Sequence, residues 1–324
     1  MEQFRSLRTY VEATYSGIGK IKEFRILPHS NINSKNYFFR TTKGRYVLKK
    51  VVHGRHANLE RMCEILAFCI SRGVKVPEPL RIGPDQYVHP KNNSFVLRFY
   101  RGIPFNGSRE QLKDIGKELG ILHRVLSQYP ISYPWKPEER GYRHLKKSEL
   151  ERVRNLIKRA RQRDRFDLLV GEHLPLIESL YAWCAQRVSF EKEGFARGKL
   201  IHGDMQPGNV LFWGNKVKVI LDFGATRRGS PFSELAFAAF RFSLADHGDG
   251  REARKRVNTF VHSYLKENAI PGASFSTLQY CFIFETLDRI SNLLRLAYGR
   301  GSFPWPPEEL EKHIRFLQIA REMR

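Results

Sequence analysis

A predicted β-hairpin about two-thirds of the way along the 324-residue chain constrains the fold more than any other feature. The apolar-rich runs 210–212 and 217–221 flank the Gly-Asn turn 214–215, as in a hairpin. A hairpin brings its two ends together, so Asn209 just before it and Asp222 just after it are expected to be neighbours. Amide and carboxylate oxygens suit Mg²⁺, which keeps its other coordination positions for phosphate and water.

A second carboxylate lies on the loop that leads into this hairpin. Asp204 precedes Asn209 by five residues, and Asp222 begins an Asp-Phe-Gly sequence. This spacing suits phosphoryl transfer, in which the first Asp orients the attacking hydroxyl and the Asn and second Asp hold Mg²⁺. The loop reads His-Gly-Asp where protein kinases read His-Arg-Asp. We expect His202 to brace the loop through hydrogen bonds rather than to act as an acid or base.

The complete motif resembles that of one family. His202–Asn209 (HGDMQPGN), followed by Ile220–Gly224 (ILDFG), resembles the aminoglycoside phosphotransferase and choline kinase family, which includes homoserine kinase-like members. The resemblance implies an α+β, two-lobed, protein-kinase-like fold. Residues 1–101 would form a β-rich nucleotide-binding lobe with one main helix, and residues 102–324 a mostly helical lobe with the catalytic loop and acceptor site.

The resemblance also implies an activity and its cofactors. The expected reaction transfers the γ-phosphate of ATP or GTP, with Mg²⁺, to a hydroxyl of a small molecule such as an antibiotic, a sugar or an amino-acid alcohol. Asp204 would be the catalytic residue, and Asn209 and Asp222 the metal ligands.

A lysine of the N-terminal lobe is expected to contact the phosphates. The resemblance favours Lys49, and Lys50 is the competing choice because successive strand residues point to opposite faces. The carboxylate partner of this lysine is expected on the helix predicted over 55–72. Glu60 and Glu64 lie one turn apart there, and both choices stay open.

Two further segments are implied to contact the nucleotide. Arg98 and Tyr100 belong to the stretch that resembles the hinge whose backbone binds adenine. The loop 28–36 would cover the phosphates through residues such as Ser30 and Asn33. This loop contains no glycine, which argues against a protein kinase more than against ATP.

Hydrophobic patterns predict the main elements of the N-terminal part. The β-rich runs 37–41 and 46–52 predict a hairpin, and 87–88 and 94–100 predict two more strands. The apolar spacing within 55–72 fits one face of a helix.

The part after residue 102 is expected to be helical. Ser108 followed by Gln111 predicts a capping box at a helix start. His123, inside that helix, is expected to be a hydrogen-bonded interior histidine. Glu234 stands where the family often has Asp, and we expect it to be structural because the charge is kept.

The charge of the chain favours anionic partners. The sequence has 56 Lys and Arg against 33 Asp and Glu, a net charge of +23. This balance favours a neutral or anionic acceptor over a polycationic aminoglycoside. Acidic residues of the C-terminal part leave a local acidic pocket as the other interpretation: Glu234, Asp246, Asp249, Glu285 and Asp288.

Two other functions compete with catalysis. A kinase-like protein that only binds, as in spore coats, is one alternative, although the complete set of Asp204, Asn209 and Asp222 argues against it. Nucleic-acid binding by the basic segment 140–165 is the other, but no aromatic residues interleave with its basic run.

The remaining features of the sequence predict a soluble cytoplasmic protein. No apolar run reaches the roughly 20 residues that cross a membrane, and the N-terminus lacks a secretory apolar segment. The four cysteines form no Cys-x-x-Cys pair, so neither a zinc cluster nor a disulfide framework is indicated.

Overall fold

A β-sheet region precedes a helical region in the computed structural model. The described residues are 2–27, 34–52, 56–84, 86–130, 145–160, 162–186, 198–245, 250–271, 273–299 and 306–323. Within these ranges, a four-stranded sheet and two helices are followed by seven helices and two small two-stranded sheets. The α+β fold predicted from the sequence is confirmed.

The N-terminal sheet is antiparallel throughout, with the strand order β1-β2-β3-β4. Its region comprises, in chain order, α1 (Glu2–Thr14), β1 (Ile21–Ile26), β2 (Ser34–Thr41), β3 (Arg45–Val51), α2 (His56–Ser71) and β4 (Ser94–Arg98). The expected hairpin is present as β2 and β3. Thr41 closes its turn, because its hydroxyl oxygen accepts the backbone N–H groups of Lys43 and Gly44 at 3.0 and 3.1 Å.

Helix α1 is an element that the sequence analysis did not predict. The helix expected over 55–72 is present as α2, and α1 is a second, shorter helix of this region. Val11 of α1 and Tyr15 just after it are buried in a cluster with Phe39, Tyr46 and Leu48 of the sheet. Leu7 and Val11 lie four positions apart in the sequence, a helical spacing that was the available signal for α1.

The strand expected at 87–88 is absent from the described residues. The backbone N–H groups of Tyr87 and Val88 donate instead to the two carboxylate oxygens of Glu60, at 2.6 and 2.8 Å. Because these two N–H groups bind a side chain, they are not available for hydrogen bonds between strands. The residue types at 87–88 are nevertheless typical of a strand.

The helical region contains two short antiparallel strand pairs, one of which is a hairpin. Its elements are α3 (Arg109–Leu126), α4 (Lys147–Arg159), α5 (Arg165–Ala185), β5 (Lys199–Ile201), β6 (Val210–Trp213), β7 (Lys216–Ile220), β8 (Arg227–Gly229), α6 (Pro231–Leu244), α7 (Gly250–Leu265), α8 (Phe275–Gly299) and α9 (Pro307–Glu322). Strand β5 pairs with β8, and β6 pairs with β7. Helix α3 packs against α7, α6 and β7, and so lies at the centre of this region.

The start of α3 is capped as predicted, but its capping box is not closed. The Ser108 hydroxyl accepts the N–H of Gln111 at 3.2 Å. The Gln111 side chain does not return to Ser108. Its oxygen accepts the N–H of Asn106 at 2.9 Å, and its nitrogen donates to the carbonyl of Gly214 at 2.8 Å. The side chain thus ties α3 to the turn between β6 and β7.

Part of the basic segment contributes to helix packing. Helix α4 buries Leu150, Val153 and Ile157. Arg154 pairs with Glu178 of α5 at 2.6 Å. This pair shows that α4 uses some of its positive charge to contact its neighbour.

The described helices and cysteines carry neither a membrane span nor a disulfide. No helix in the described ranges is long and apolar enough to cross a bilayer. The cysteines Cys63, Cys69, Cys184 and Cys281 are buried free thiols. Buried in this way, the four cysteines act as small apolar residues of the core.

Two glycines allow α3 and α7 to pack closely. A Cβ on Gly116 would lie 2.4 Å from the carbonyl oxygen of Phe260, and one on Gly120 would lie 2.7 Å from that of Tyr264. Both obstacles are backbone atoms, which cannot rotate away. The contact between the two helices therefore requires glycine at both positions.

We expect Gly116→Ala to lower the free energy of unfolding by about 1–3 kcal/mol, the usual cost of overpacking. Urea unfolding measures the change. Gly171→Ala in α5 is the matched control, because its Cβ would meet only Ile157 at an ordinary 3.8 Å. At position 171, helix propensity favours alanine over glycine by up to about 1 kcal/mol, so this variant should be as stable as the unaltered protein or more stable. Equal effects of the two variants would contradict the close-packing explanation.

Candidate active site

The hairpin of β6 and β7 brings the predicted metal ligands together. Val210 pairs with Ile220, and the N–H of Leu221 donates to the carbonyl of Asn209 at 2.7 Å. Asp222 follows directly, with φ at +58°, in the left-handed region that Asp tolerates better than most residues. Its side chain is 47 % exposed. Asn209 and Asp222 are thus neighbours, as the hairpin prediction required.

Asp204 is oriented by the residue five positions later. One carboxylate oxygen, Oδ2, accepts the amide nitrogens of Gln206 at 2.7 Å and Asn209 at 3.0 Å. The Asn209 amide also donates to the Asp204 carbonyl at 2.8 Å. Because both bonds of Asn209 use its nitrogen, the amide oxygen is left for a cation. The Asp-x-x-x-x-Asn spacing thereby orients the carboxylate and the candidate metal ligand at once.

His202 braces the loop, as expected. Its ring is buried, Nε2 donates to the carbonyl of Leu221 at 2.8 Å, and Nδ1 accepts the N–H of Asp204 at 3.2 Å. These partners use both ring nitrogens in the neutral form. The imidazole therefore connects the start of the loop to the end of the hairpin.

Gly203 explains why the loop reads His-Gly-Asp. Its φ is +85°, and a Cβ there would lie 2.1 Å from the carbonyl oxygen of Ala225 and 2.3 Å from a nitrogen of Arg227. Arg227 also donates to the Gly203 carbonyl at 3.0 Å. Neither the backbone conformation nor the space admits a side chain.

Glu234 is structural, as expected, and its contacts show how. This buried carboxylate of α6 accepts the N–H groups of His202 at 2.8 Å and Gly203 at 2.5 Å. It also accepts Nε2 of His123 at 2.8 Å, and the other nitrogen of His123 meets the Tyr264 hydroxyl at 2.7 Å. Burial alone would raise the pKa of Glu234, but these donors outweigh it and the pKa is lowered.

Lys49 reaches the candidate metal site. Its ammonium lies 2.8 Å from Oδ1 of Asp222. Leu48 is buried against α1, so alternation directs Lys49 to the opposite face of the sheet and Lys50 to the face of Leu48. Burial would raise the pKa of Asp222. The charge and hydrogen bond of Lys49, with smaller contributions from His202 and the Gly224 backbone, together outweigh burial, and the pKa is lowered.

The structure does not bring either predicted glutamate to Lys49. The carboxylate of Glu60 is occupied by the N–H groups of Tyr87 and Val88, as described above. Glu64 accepts the hydroxyl of Tyr129 at 3.4 Å. The lysine pairs with Asp222 instead.

The hinge segment connects the sheet to the hairpin. Arg98 uses its backbone N–H for the carbonyl of Glu78 and its guanidinium for the Glu78 carboxylate, both at 2.8 Å. Tyr100 is half-buried, and burial raises its pKa. Ile103 and Phe212 then exchange two backbone hydrogen bonds, of 2.9 and 2.8 Å. Ser30 and Asn33, the expected phosphate contacts, lie outside the described residues.

The sequence analysis missed two arginines beside the carboxylate of Asp204. Arg241 of α6 and Arg289 of α8 each place a nitrogen 3.9 Å from Oδ1 of Asp204. Burial and the nearby charge of Arg289 lower the pKa of Arg241 to about 10. In the sequence, Arg241 follows Phe237 by one helical turn and Glu234 by two. This spacing was the signal that could have placed Arg241 on the same helix face as Glu234. Nothing local connects Arg289 to the motif.

The described residues contain no group of three or more His, Cys, Asp or Glu side chains that could hold a metal ion by themselves. Asn209 and the exposed Asp222 still fit Mg²⁺ in a nucleotide site. Magnesium there takes one or two protein oxygens and completes its shell with phosphates and water.

We expect Glu234→Gln to destabilise both the protein and the loop at His202 and Gly203. An amide has one acceptor oxygen where three donors converge, so the free energy of unfolding should fall by about 1–3 kcal/mol. Hydrogen exchange at the Gly203 amide should also accelerate. Asp114→Asn is the control, because Asp114 is buried and accepts the N–H of Val217 at 2.8 Å in β7. Unchanged exchange at Gly203 in Glu234→Gln would contradict this role.

The geometry agrees with comparisons to known proteins. The phosphotransferase enzyme family (APH) matches residues 23–267. A homoserine kinase from Bradyrhizobium sp. (strain BTAi1) is 23% identical, covering 95% of this chain and 90% of its own. Spectinomycin phosphotransferase APH(9)-Ia, solved with ADP and spectinomycin, is 16% identical with a TM-score of 0.74 over 98% of both chains. An aminoglycoside phosphotransferase from Alicyclobacillus acidocaldarius is 18% identical, with a TM-score of 0.70 over 97% of this chain and 92% of that one.

The family model matches most of the length of this chain. The chain therefore belongs to the phosphotransferase enzyme family.

Proposed function

We propose that this small-molecule phosphotransferase moves the γ-phosphate of ATP to a hydroxyl acceptor, with Asp204 as the catalytic residue. One observation carries the proposal. Asp204, Asn209 and Asp222 converge at one hairpin, and Lys49 reaches Asp222 from the sheet. This is the set of groups that phosphoryl transfer requires.

The residues have separable tasks in this proposal. Asn209 and Asp222 hold Mg²⁺, which when bound neutralises charge on the β- and γ-phosphates. Lys49 lies beside them and contacts the phosphates. Asp204 keeps Oδ2 on Gln206 and Asn209 and presents Oδ1 to the acceptor hydroxyl, whose proton it accepts or orients.

The identity of the nucleotide and the compartment belong to the proposal as well. The spectinomycin phosphotransferase was solved with ADP, which supports an adenine nucleotide for this chain. The cytoplasm supplies Mg-ATP and keeps thiols reduced, which suits four buried free cysteines. L-Homoserine is the first acceptor to test, because the curated relatives are homoserine kinases.

Mg-ATP should stabilise the protein against heat in a magnesium-dependent manner. A ligand at 100 times its Kd adds about 2.7 kcal/mol. Asp222→Asn should abolish the magnesium dependence of the shift in Tm, and Lys49→Ala should reduce the shift. Lys50→Ala is the matched control, since its side chain lies on the other face of β3. No shift for the unaltered protein at millimolar Mg-ATP would count against catalysis and favour a binding or scaffold protein.

Asp204→Asn should separate binding from catalysis. The amide keeps the shape of the side chain but cannot accept the hydroxyl proton. Turnover should fall roughly 10²- to 10⁴-fold, while the shift in Tm with Mg-ATP is retained. ADP release with L-homoserine and other hydroxyl acceptors measures turnover. Full activity of a clean Asp204→Asn preparation would refute the assignment.

A further inference from the structure

The free edge of the catalytic carboxylate faces two arginines. Gln206 and Asn209 occupy Oδ2 of Asp204. Arg241 and Arg289 each lie 3.9 Å from the other oxygen, Oδ1. An acceptor hydroxyl that hydrogen-bonds to Oδ1 therefore stands next to both guanidinium groups.

The two guanidinium groups are held in place by an aromatic ring. Arg289 lies 4.2 Å and Arg241 5.1 Å from the ring centroid of Phe237. The Arg241 side chain is 10 % exposed and that of Arg289 is 35 % exposed. Such pre-positioned planar groups suit a carboxylate, which an arginine binds through two parallel hydrogen bonds.

Arg241 and Arg289 bring two positive charges to the single carboxylate of Asp204. Two guanidinium groups and the Asp204 carboxylate together carry one net positive charge. Glu309 of α9 also acts on Arg241, but Lys312 pairs with it at 2.6 Å. Burial, and then the charges of Lys312, Arg289 and Arg241, lower the pKa of the buried His313 well below its usual value, so His313 adds no positive charge here.

The same charges disfavour a polycationic acceptor. Glu234, one of the acidic residues that could have lined a pocket for cations, is buried and bound to the catalytic loop. Asp246 and Asp249 lie outside the described residues. Among the described ion pairs, those of Asp204 Oδ1 are with the guanidinium groups of Arg241 and Arg289.

We propose that the acceptor is a hydroxy acid whose carboxylate binds Arg241 and Arg289 while its hydroxyl meets Asp204. This inference rests on the proposed phosphotransferase function and deepens it by naming the charge class of the acceptor. The acceptor oxygen forms a bond to the γ-phosphorus. The bond to the β,γ-bridging oxygen breaks, and ADP leaves with that electron pair. The hydroxyl proton passes to Asp204 and then to solvent, and the acceptor carboxylate is unchanged.

The first arm of the test compares matched acceptors in an ADP-release assay with saturating Mg-ATP. The pairs are L-homoserine with its amide, and 4-hydroxybutyrate with 4-hydroxybutyramide. Ethanolamine, spectinomycin, glucose and glycerol 3-phosphate represent cationic, neutral and phosphate-bearing alcohols. Each acid should exceed its amide in kcat/KM by roughly 10- to 100-fold, the value of hydrogen bonds to a charged group.

The second arm removes one guanidinium. Arg289→Gln should raise KM for the acid by roughly 10- to 100-fold and leave KM for the amide and for ATP unchanged. Arg289→Lys should restore part of the loss, since it keeps the charge without the planar fork. Arg254→Gln is the matched control, because Arg254 of α7 lies 4.5 Å from the Phe275 ring in the same way. Tm and its shift with Mg-ATP show that each variant is folded.

The possible outcomes separate the two levels of the proposal. If Mg-ATP binds but hydroxy acids are not accepted, or are accepted less well than amides, cations, sugars or the phosphate ester, the hydroxy-acid inference is overturned. An equal rise in KM for acid and amide in Arg289→Gln overturns it too. If Mg-ATP produces no shift in Tm and no acceptor yields ADP, the phosphotransferase proposal itself fails.

Discussion

A single buried carboxylate determines where the loop that carries Asp204 lies. Glu234 accepts hydrogen bonds from two consecutive loop amides and from His123, whose other nitrogen reaches Tyr264. Through these contacts α3, α6 and α7 meet at the residues that immediately precede Asp204. A buried carboxylate is costly unless it is fully hydrogen-bonded, so the donors and the acceptor stabilise one another and only one loop position satisfies all of them.

The rest of the site is built outward from this loop by short-range contacts. His202 links its start to Leu221, at the end of the hairpin, and Asn209 links its end back to Asp204. Lys49 then connects the hairpin to the N-terminal sheet. The site is therefore assembled from backbone and side-chain bonds of well-ordered elements, which limits the reorganisation that remains when substrates bind.

The parts of the site that depend on local spacing could be predicted from the sequence, and those that depend on tertiary contacts could not. The hairpin, the neighbouring positions of Asn209 and Asp222, and the bracing role of His202 follow from turn chemistry and short separations. The contact of Arg289 with Asp204 joins residues 85 positions apart. The engagement of Glu60 by two backbone amides likewise depends on a loop whose path no periodic pattern records.

Gly203 bears on how this loop could change over evolutionary time. The space that a side chain at this position would need is filled by Arg227 and the carbonyl of Ala225. A single substitution that introduces the arginine of protein kinases would thus meet both steric overlap and an unfavourable φ. An arginine at this position therefore also requires Arg227 and the backbone around Ala225 to move, so residues 203, 225 and 227 depend on one another in this loop.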